Sequence, residues 1–284
     1  MPRTLALLVV LTAIAAAGPA LATEAAADRD VARSVSIGGS CVGCAFSGRR
    51  LSDAAFIGGD FSRATLIGAD LRGAHCMGSN FEGANFAGAD LRGVHAVGSR
   101  FRNADFSGAQ MDGIEAQGVD FGGARLSRAR LTGAEAQGTS FARADLTGAR
   151  LTRAELQSAS FAGADARGAD FQGAELQGAA LTHGRFARAS FRDAELQGAR
   201  LDGSSFGGAD FTGAELQGVD LRGADLAEAR GLNAEQVAHT CTDGATRLPR
   251  GLRAPGCIVM LRLFRAPSIP PVPPRPPAPP AVKP

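Results

Sequence analysis

Every fifth residue from Phe46 to Leu226 belongs to one apolar series of 37 positions. Fifteen are Phe and sixteen are Leu; Cys76, Met111, Ala96, Ala116, Ala136 and Ala166 complete the set. No insertion breaks the phase. The residue two before is usually Ala and the residue two after is usually Gly. The unit therefore reads Ala-polar-(Leu/Phe)-polar-Gly, as in Ala69-Asp70-Leu71-Arg72-Gly73. A repeat of this length constrains the whole fold, because one small structural unit has to serve everywhere. A period of five fits neither the 3.6 of a helix nor the 2.0 of a strand. On a helix the Leu and Phe would be spread around the circumference, and each Gly would cost about 1 kcal/mol. On a flat strand alternate repeats would face opposite ways. A chain that turns after each short extended piece satisfies the period, and Gly supplies the positive φ of such corners.

The pattern resembles the pentapeptide-repeat family. Its A-(D/N)-L-x-x motif stands here as Ala69-Asp70-Leu71, Ala89-Asp90-Leu91, Ala144-Asp145-Leu146 and Ala224-Asp225-Leu226. Phe variants include Ala84-Asn85-Phe86, Ala104-Asp105-Phe106 and Ala209-Asp210-Phe211. The resemblance implies an all-β solenoid, a right-handed quadrilateral β-helix with four pentapeptides per coil and the Leu/Phe and preceding Ala pointing inward. A second period, of 20 residues, agrees with four repeats per coil. Glu recurs at Glu115, Glu135, Glu155, Glu175, Glu195 and Glu215, each followed two residues on by Gln: Gln117, Gln137, Gln157, Gln177, Gln197 and Gln217. Equivalent residues then stack, so Phe61, Phe81, Phe101, Phe121, Phe141 and Phe161 form one internal pile and the Gln an expected amide ladder. Residues 46–230 make about nine coils, a rod roughly 44 Å long at about 4.8 Å per coil.

The ends differ in kind. Residues 1–22 read as a signal peptide: basic Arg3, an apolar stretch from Leu5 to Ala17, Gly18-Pro19, and a small-x-small Ala20-Leu21-Ala22 cleavage site. The mature chain is expected in the periplasm or secreted, starting near Thr23 after cleavage near Ala22. Residues 23–45 form an N-terminal segment and cap. In residues 231–257 the repeat breaks, and Asn233 with Gln236 predicts a capped helix over about 234–240 that closes the solenoid. Residues 258–284 form a basic tail whose Pro-rich end, read as disordered, cannot pack a core. No acid follows Asp243, whereas Arg247, Arg250, Arg253, Arg262, Arg265, Arg275 and Lys283 contribute +7. The tail is read first as solvated, with weak contact to an anionic envelope surface as the functional alternative.

In an oxidising compartment Cys241 and Cys257, flanking a turn-rich loop, are candidates for a disulfide. Cys41 and Cys44 form a CxxC that could be a redox pair, half a zinc site or a structural disulfide; lacking a second CxxC or a thioredoxin-like context, it is read as N-terminal structure. Cys76 occupies a core position. His75, His95 and Glu115 fall 20 residues apart and would stack, an arrangement read as a solvated column rather than a metal site. With no Ser-His-Asp set, phosphate loop or HExxH, no enzyme, cofactor or metal is expected.

Function is read as that of an exported, non-catalytic scaffold or interaction rod of the bacterial cell envelope. The Glu and Gln columns are its candidate face, with Arg153 and Arg192 as candidate screens for the carboxylates. The protein partner is unnamed, and end-to-end pairing of two copies is a further possibility. The alternatives are a DNA-mimicking protein that interacts with topoisomerases, or a weak metal or thiol site. Mimicry needs an acidic rod, and residues 46–226 hold 22 acids against 19 Arg. No nucleic acid is therefore expected as a partner.

Overall fold

A computed structural model describes residues 39–257; the expected signal peptide (1–22), residues 23–38 of the expected N-terminal segment and the expected basic tail (258–284) lie outside the described residues. Each outward residue before a Leu or Phe forms a single parallel bridge to the residue 20 further on. This register runs unbroken from Ala45↔Thr65 to Asp210↔Arg230. Twenty residues thus make one coil with four sides, stacked into a parallel β-solenoid.

One repeat shows how the five backbone N–H groups are satisfied. Leu71 N donates to Asp90 O at 2.8 Å and Gly73 N to Arg92 O at 3.1 Å, both on the next coil. Asp70 N donates back to Arg49 O at 2.9 Å, and Ala74 N closes the corner onto Leu71 O at 2.9 Å. The fifth donor, Arg72 N, is taken by the Asp70 side chain, Oδ1 at 3.3 Å. The Asp or Asn of the motif is thus a backbone acceptor, and the same bond recurs at Asp60, Asn85, Asp105, Asp145 and Asp210.

The corner is a four-residue turn whose third residue has positive φ, +65° at Gly73, the mark of type II geometry. Ten non-glycine residues adopt the same conformation, among them Arg143 (58°), Arg153 (54°) and His183 (55°). Glycine is therefore preferred at the corner without being required. Coil stacking compensates the strain that a Cβ brings there.

Inside, four columns of side chains fill the solenoid, and nearly every member is at most 1% exposed. The column headed by Phe61 stacks ring on ring through Phe161, with centroids 5.0–5.3 Å apart. The neighbouring column is small beside Phe81 to Phe141, where Cys76, Ala96, Ala116 and Ala136 follow Phe56; Leu156 returns beside Phe161, at the level where another column thins to Ala166. Once the first column becomes Leu, at Leu181 and Leu201, the second carries Leu176 and Leu196 while Phe171 and Phe191 fill another side. Large and small positions exchange columns to keep the cross-section filled. Val94, Ile114, Val119 and Thr139 replace Ala beside the thin stretch and are buried.

Helix α1, Ala234–Ala238, is shorter than the expected 234–240. Asn233 accepts from Gln236 N, and Gln236 accepts from Asn233 N, closing a capping box. The helix stops because the chain must rejoin the ladder: Cys241 bridges to Asp220 and Arg247 to Asp225, with spacings of 21 and 22 instead of 20. Gln236 Nε2 also donates to Phe211 O and Ala214 O, carbonyls of the last coil, at 3.0 and 2.8 Å. Among the described residues no helix is long and apolar enough to cross a membrane.

Candidate interaction face

The Glu and Gln columns lie on one side of the rod, as the 20-residue register requires, but the expected Gln-to-Gln amide ladder does not form. Each Gln instead donates Nε2 diagonally to the Glu of the next coil. Gln117 reaches Glu135 at 2.9 Å, Gln137 reaches Glu155 at 2.5 Å, Gln157 reaches Glu175 at 2.5 Å and Gln177 reaches Glu195 at 2.6 Å; Gln197 bonds Glu215 likewise. A charge-assisted bond to a carboxylate is stronger than an amide–amide bond and relieves repulsion within the column. Gln217, on the last coil, has no such Glu above it. The amide oxygens of Gln137, Gln157, Gln177 and Gln197 are buried without a donor.

The arginines expected to screen this column do not. Arg192 pairs with Asp210 at 3.2 Å, and Arg153 occupies a corner with no ion pair to the column. The ion pairs sit elsewhere, as in Arg72–Asp70 (2.6 Å), Arg102–Asp120 (2.9 Å), Arg130–Asp112 (3.1 Å) and Arg222–Asp220 (2.6 Å). The hydrogen bond from the Arg72 side chain holds the Asp70 carboxyl at about 2, below the usual carboxylate range. Among the described residues, none of Glu135, Glu155, Glu175, Glu195 and Glu215 forms an ion pair with a basic side chain.

Toward the N-terminal end the same side changes character. His75 and His95 stack face to face with centroids 4.8 Å apart, and His95 Nδ1 lies 2.7 Å from Glu115 Oε2. Parallel rings do not aim their nitrogens at a common point, so His75, His95 and Glu115 do not converge as a ligand set. Beside them Ile57, Met77 and Val97, the residues that take the Gln position in these coils, are 50%, 41% and 42% exposed.

Cys41 is joined to Cys44, and Cys241 to Cys257. Cys76 is a buried free thiol whose pKa burial pushes up to about 12, which leaves it protonated and inert. Asp220, Cys241 and Cys257 bring potential ligand atoms together, but both sulfurs are committed to a disulfide. The hydrogen bond from the Arg222 side chain also holds the Asp220 carboxyl low.

The family model described as pentapeptide repeats matches residues 40–75, 60–95, 79–115, 117–153, 149–188 and 189–227. Among solved structures, HetL, a pentapeptide repeat protein involved in heterocyst differentiation regulation in the cyanobacterium Nostoc sp. Strain PCC 7120, is 24% identical. It aligns over 77% of this chain and 98% of its own, with a TM-score of 0.58, a likeness of fold alone. Full-length QnrB1, a plasmid-mediated fluoroquinolone resistance protein, is 19% identical over 74% of this chain and 97% of its own, at 0.31. A pentapeptide repeat protein of the Arabidopsis thaliana thylakoid lumen is 29% identical over 39% of this chain and 67% of its own, at 0.21. TM-scores this low support no comparison of detail. No curated protein matches the sequence.

Proposed function

The chain belongs to the pentapeptide-repeat family, and on that premise we propose that it is an exported, non-catalytic interaction rod of the bacterial cell envelope that binds protein through its Glu/Gln side. In this reading residues 1–22 direct export to the periplasm or beyond. Residues 23–45 open the solenoid, 46–230 form about nine right-handed coils, 231–257 close it under the Cys241–Cys257 bond, and 258–284 trail as a basic tail.

One observation carries the choice of side. The Asp and Asn that precede Leu or Phe elsewhere accept the N–H two residues on. Among the described residues no Glu of the column does so for its Gln. Six coils give up a bond that finishes the fold and present instead a uniform row of carboxylates and amides. The Gln–Glu bonds between coils offset that exchange, and the row of carboxylates they leave without a basic side chain is what a partner with a matching repeat would recognise.

The DNA-mimic alternative asks for an unneutralised acidic rod, and the Asp–Arg pairs on the other sides argue against it. A metal or thiol function is opposed by the stacked, non-convergent histidines and by the bonded cysteines. Affinity capture of the tagged mature protein from envelope extract, with cross-linking, tests the proposal. The Q137A/Q157A/Q177A/Q197A variant is expected to lose the captured partner. Unchanged capture overturns the assignment of this side.

A further inference from the structure

The four sides of the rod do not share its charge evenly. Glu115 to Glu215 give the Glu/Gln side six carboxylates, and on the corner column before it Arg153 and Asp193 cancel. The side directly across the coil holds, from Asp105 to Arg188 and with its corner columns included, six Arg against three Asp, a net +3. The two sides between them are close to neutral: five Arg and five Asp between Asp70 and Asp210 on one, four Arg and five acids between Asp60 and Arg222 on the other. We infer that the occupant of the Glu/Gln side is a second copy of this chain, seated by its opposite side, with the two rods parallel and in register. The inference rests on the reading of the Glu/Gln side as a binding surface and names an occupant for it.

Three observations carry it. The first is that both sides hold charges left over by the fold. Glu135 to Glu215 have no basic partner among the described residues. On the opposite side the acids are already engaged: Asp105 with Arg125 at 3.5 Å, Asp165 with Arg167 and Arg185, both at 2.8 Å, and Asp145 with the N–H and hydroxyl of Thr147. That leaves Arg128, Arg143 and Arg188, exposed corner residues with no acidic partner among the described residues.

The second is spacing. Two copies of one rod share the same rise, about 4.8 Å per coil, so a match made at one coil holds at the next. Opposite sides are ten residues, or half a coil, apart. In register, Arg128 therefore falls between the levels of Glu115 and Glu135, Arg143 between Glu135 and Glu155, and Arg188 between Glu175 and Glu195. Arg128 and Arg188 border the Glu column, and Arg143 borders the Gln column toward which the carboxylates lean.

The third is order. At the levels of Ile57, Met77 and Val97 the opposite side is apolar too. Its turn residue between Ile57 and Met77 is Ile67, 45% exposed, and that between Met77 and Val97 is Ala87. With the axes parallel these lie over Ala55 and the stacked His75 and His95 rings, beside the apolar stripe. Reversing one rod would set the arginines against that stripe. Glu228, exposed at the far end beyond Glu215, marks where the match stops. Contact of face to back leaves a free Glu/Gln side and a free Arg side on any stack, so association does not close at the dimer.

Sedimentation velocity on the mature chain tests this. At about 20 mM salt the wild type is expected to sediment faster as concentration rises, past the dimer, and to return to monomer at about 0.5 M salt. E135R/E155R/E195R and R128E/R143E/R188E are each expected to need at least about ten-fold more protein to associate. An equimolar mixture of the two is expected to associate at the wild-type concentration, because the unchanged Glu side of one meets the unchanged Arg side of the other. Circular dichroism checks the fold of each variant; E135Q/E155Q/E195Q and R128Q/R143Q/R188Q, which neutralise without reversing, replace any that does not fold. A nitroxide on S52C, near the N-terminal end, is expected to give a shortest intermolecular distance of about one rod width, whereas antiparallel rods would hold the labels roughly 40 Å apart. Three results each overturn the proposal: a wild type that stays monomeric at about 1 mM and low salt, a mixture that associates no better than its components, or labels held at the antiparallel distance. The envelope capture described above reads the side itself. Capture that depends on the Gln column from a monomeric protein removes the second copy alone; association without capture removes the external partner alone.

Discussion

Exchange of bulk between the columns of the core can be tested by moving one exchange to a new coil. Phe121 is fully buried, with Phe101 and Phe141 stacked on it at 5.3 Å on either side. Its neighbour in the next column is Ala116, also fully buried. Where that column does carry an aromatic, at Phe56, the ring meets Phe61 at 5.1 Å, so the two columns touch. F121L forfeits two stacked contacts and an edge contact to Phe106 at 5.5 Å, each about 0.5–1.5 kcal/mol, for a loss of about 1.5–4.5 kcal/mol. A116L forces extra carbons against Phe121 and costs about 1–3 kcal/mol by overpacking. The A116L/F121L double variant recreates the Leu–Leu pairing of Leu196 and Leu201. It is expected to cost less than either single change, a coupling of about 2 kcal/mol or more. Guanidinium unfolding followed by circular dichroism measures the three differences. Amide exchange over residues 106–125 localises them in case the array does not unfold as a unit. Additive single costs, within about 0.5 kcal/mol, refute the compensation between columns.

Three further outcomes follow from the same geometry. A Cβ built at Gly138 meets nothing within 4 Å, although its φ is +64°; G138A should therefore lose about 1 kcal/mol from conformation alone, while R143G, at φ +58°, should change melting in the opposite direction. Asp70 is held at about 2 by Arg72; a depressed folded-state pKa gives stability that is present above the ordinary carboxylate value and lost as pH falls from about 4 toward 2. D70N should remove that part of the acid limb, under about 1 kcal/mol because Arg72 is largely exposed, and an acid titration of the melting temperature that is unchanged by D70N contradicts it. The C241S/C257S variant should cost about 3 kcal/mol on chain-entropy grounds, with lost hydrogen-exchange protection confined to the coils nearest Asp220.

The interior was legible because burial enforces it. One side chain per pentad, inward at 20 residues per coil, leaves a phase that cannot drift, and the Phe61–Phe161 stack follows directly. The capping box of Asn233 and Gln236 was legible because its donors and acceptors are local. Contacts between coils on the outside were less legible. Stacking by 20 places Gln137 under Gln157, yet its amide reaches Glu155, 18 residues on, because two charges nearby make the diagonal acceptor the better one. The corner residues were only partly legible, since neighbouring coils let Arg143 or His183 hold a conformation that isolated turns leave to Gly. The shift to spacings of 21 and 22 at Cys241 and Arg247 left no mark in the sequence, because α1 and the loop after it absorb residues outside the repeat.

The outer positions divide by what they do for the backbone. On three sides the residue before Leu or Phe is often Asp or Asn, short enough to accept the N–H two residues on, and several of these Asp also hold an Arg. Those side chains are occupied: replacing one removes a backbone acceptor along with a charge. On the fourth side Glu is one methylene longer, its carboxylate leaves its own turn and meets the amide of the preceding coil, and it does not accept the turn N–H. The longer acid exchanges a bond within its own turn for one between coils. Repetition of the longer acid and its Gln over six successive coils ends where Ile57, Met77 and Val97 take the turn position. One half of this side carries carboxylates with no basic partner among the described residues, and the other carries exposed apolar turn residues. An occupant for it must therefore be basic first and apolar after, read from the C-terminal end of the rod.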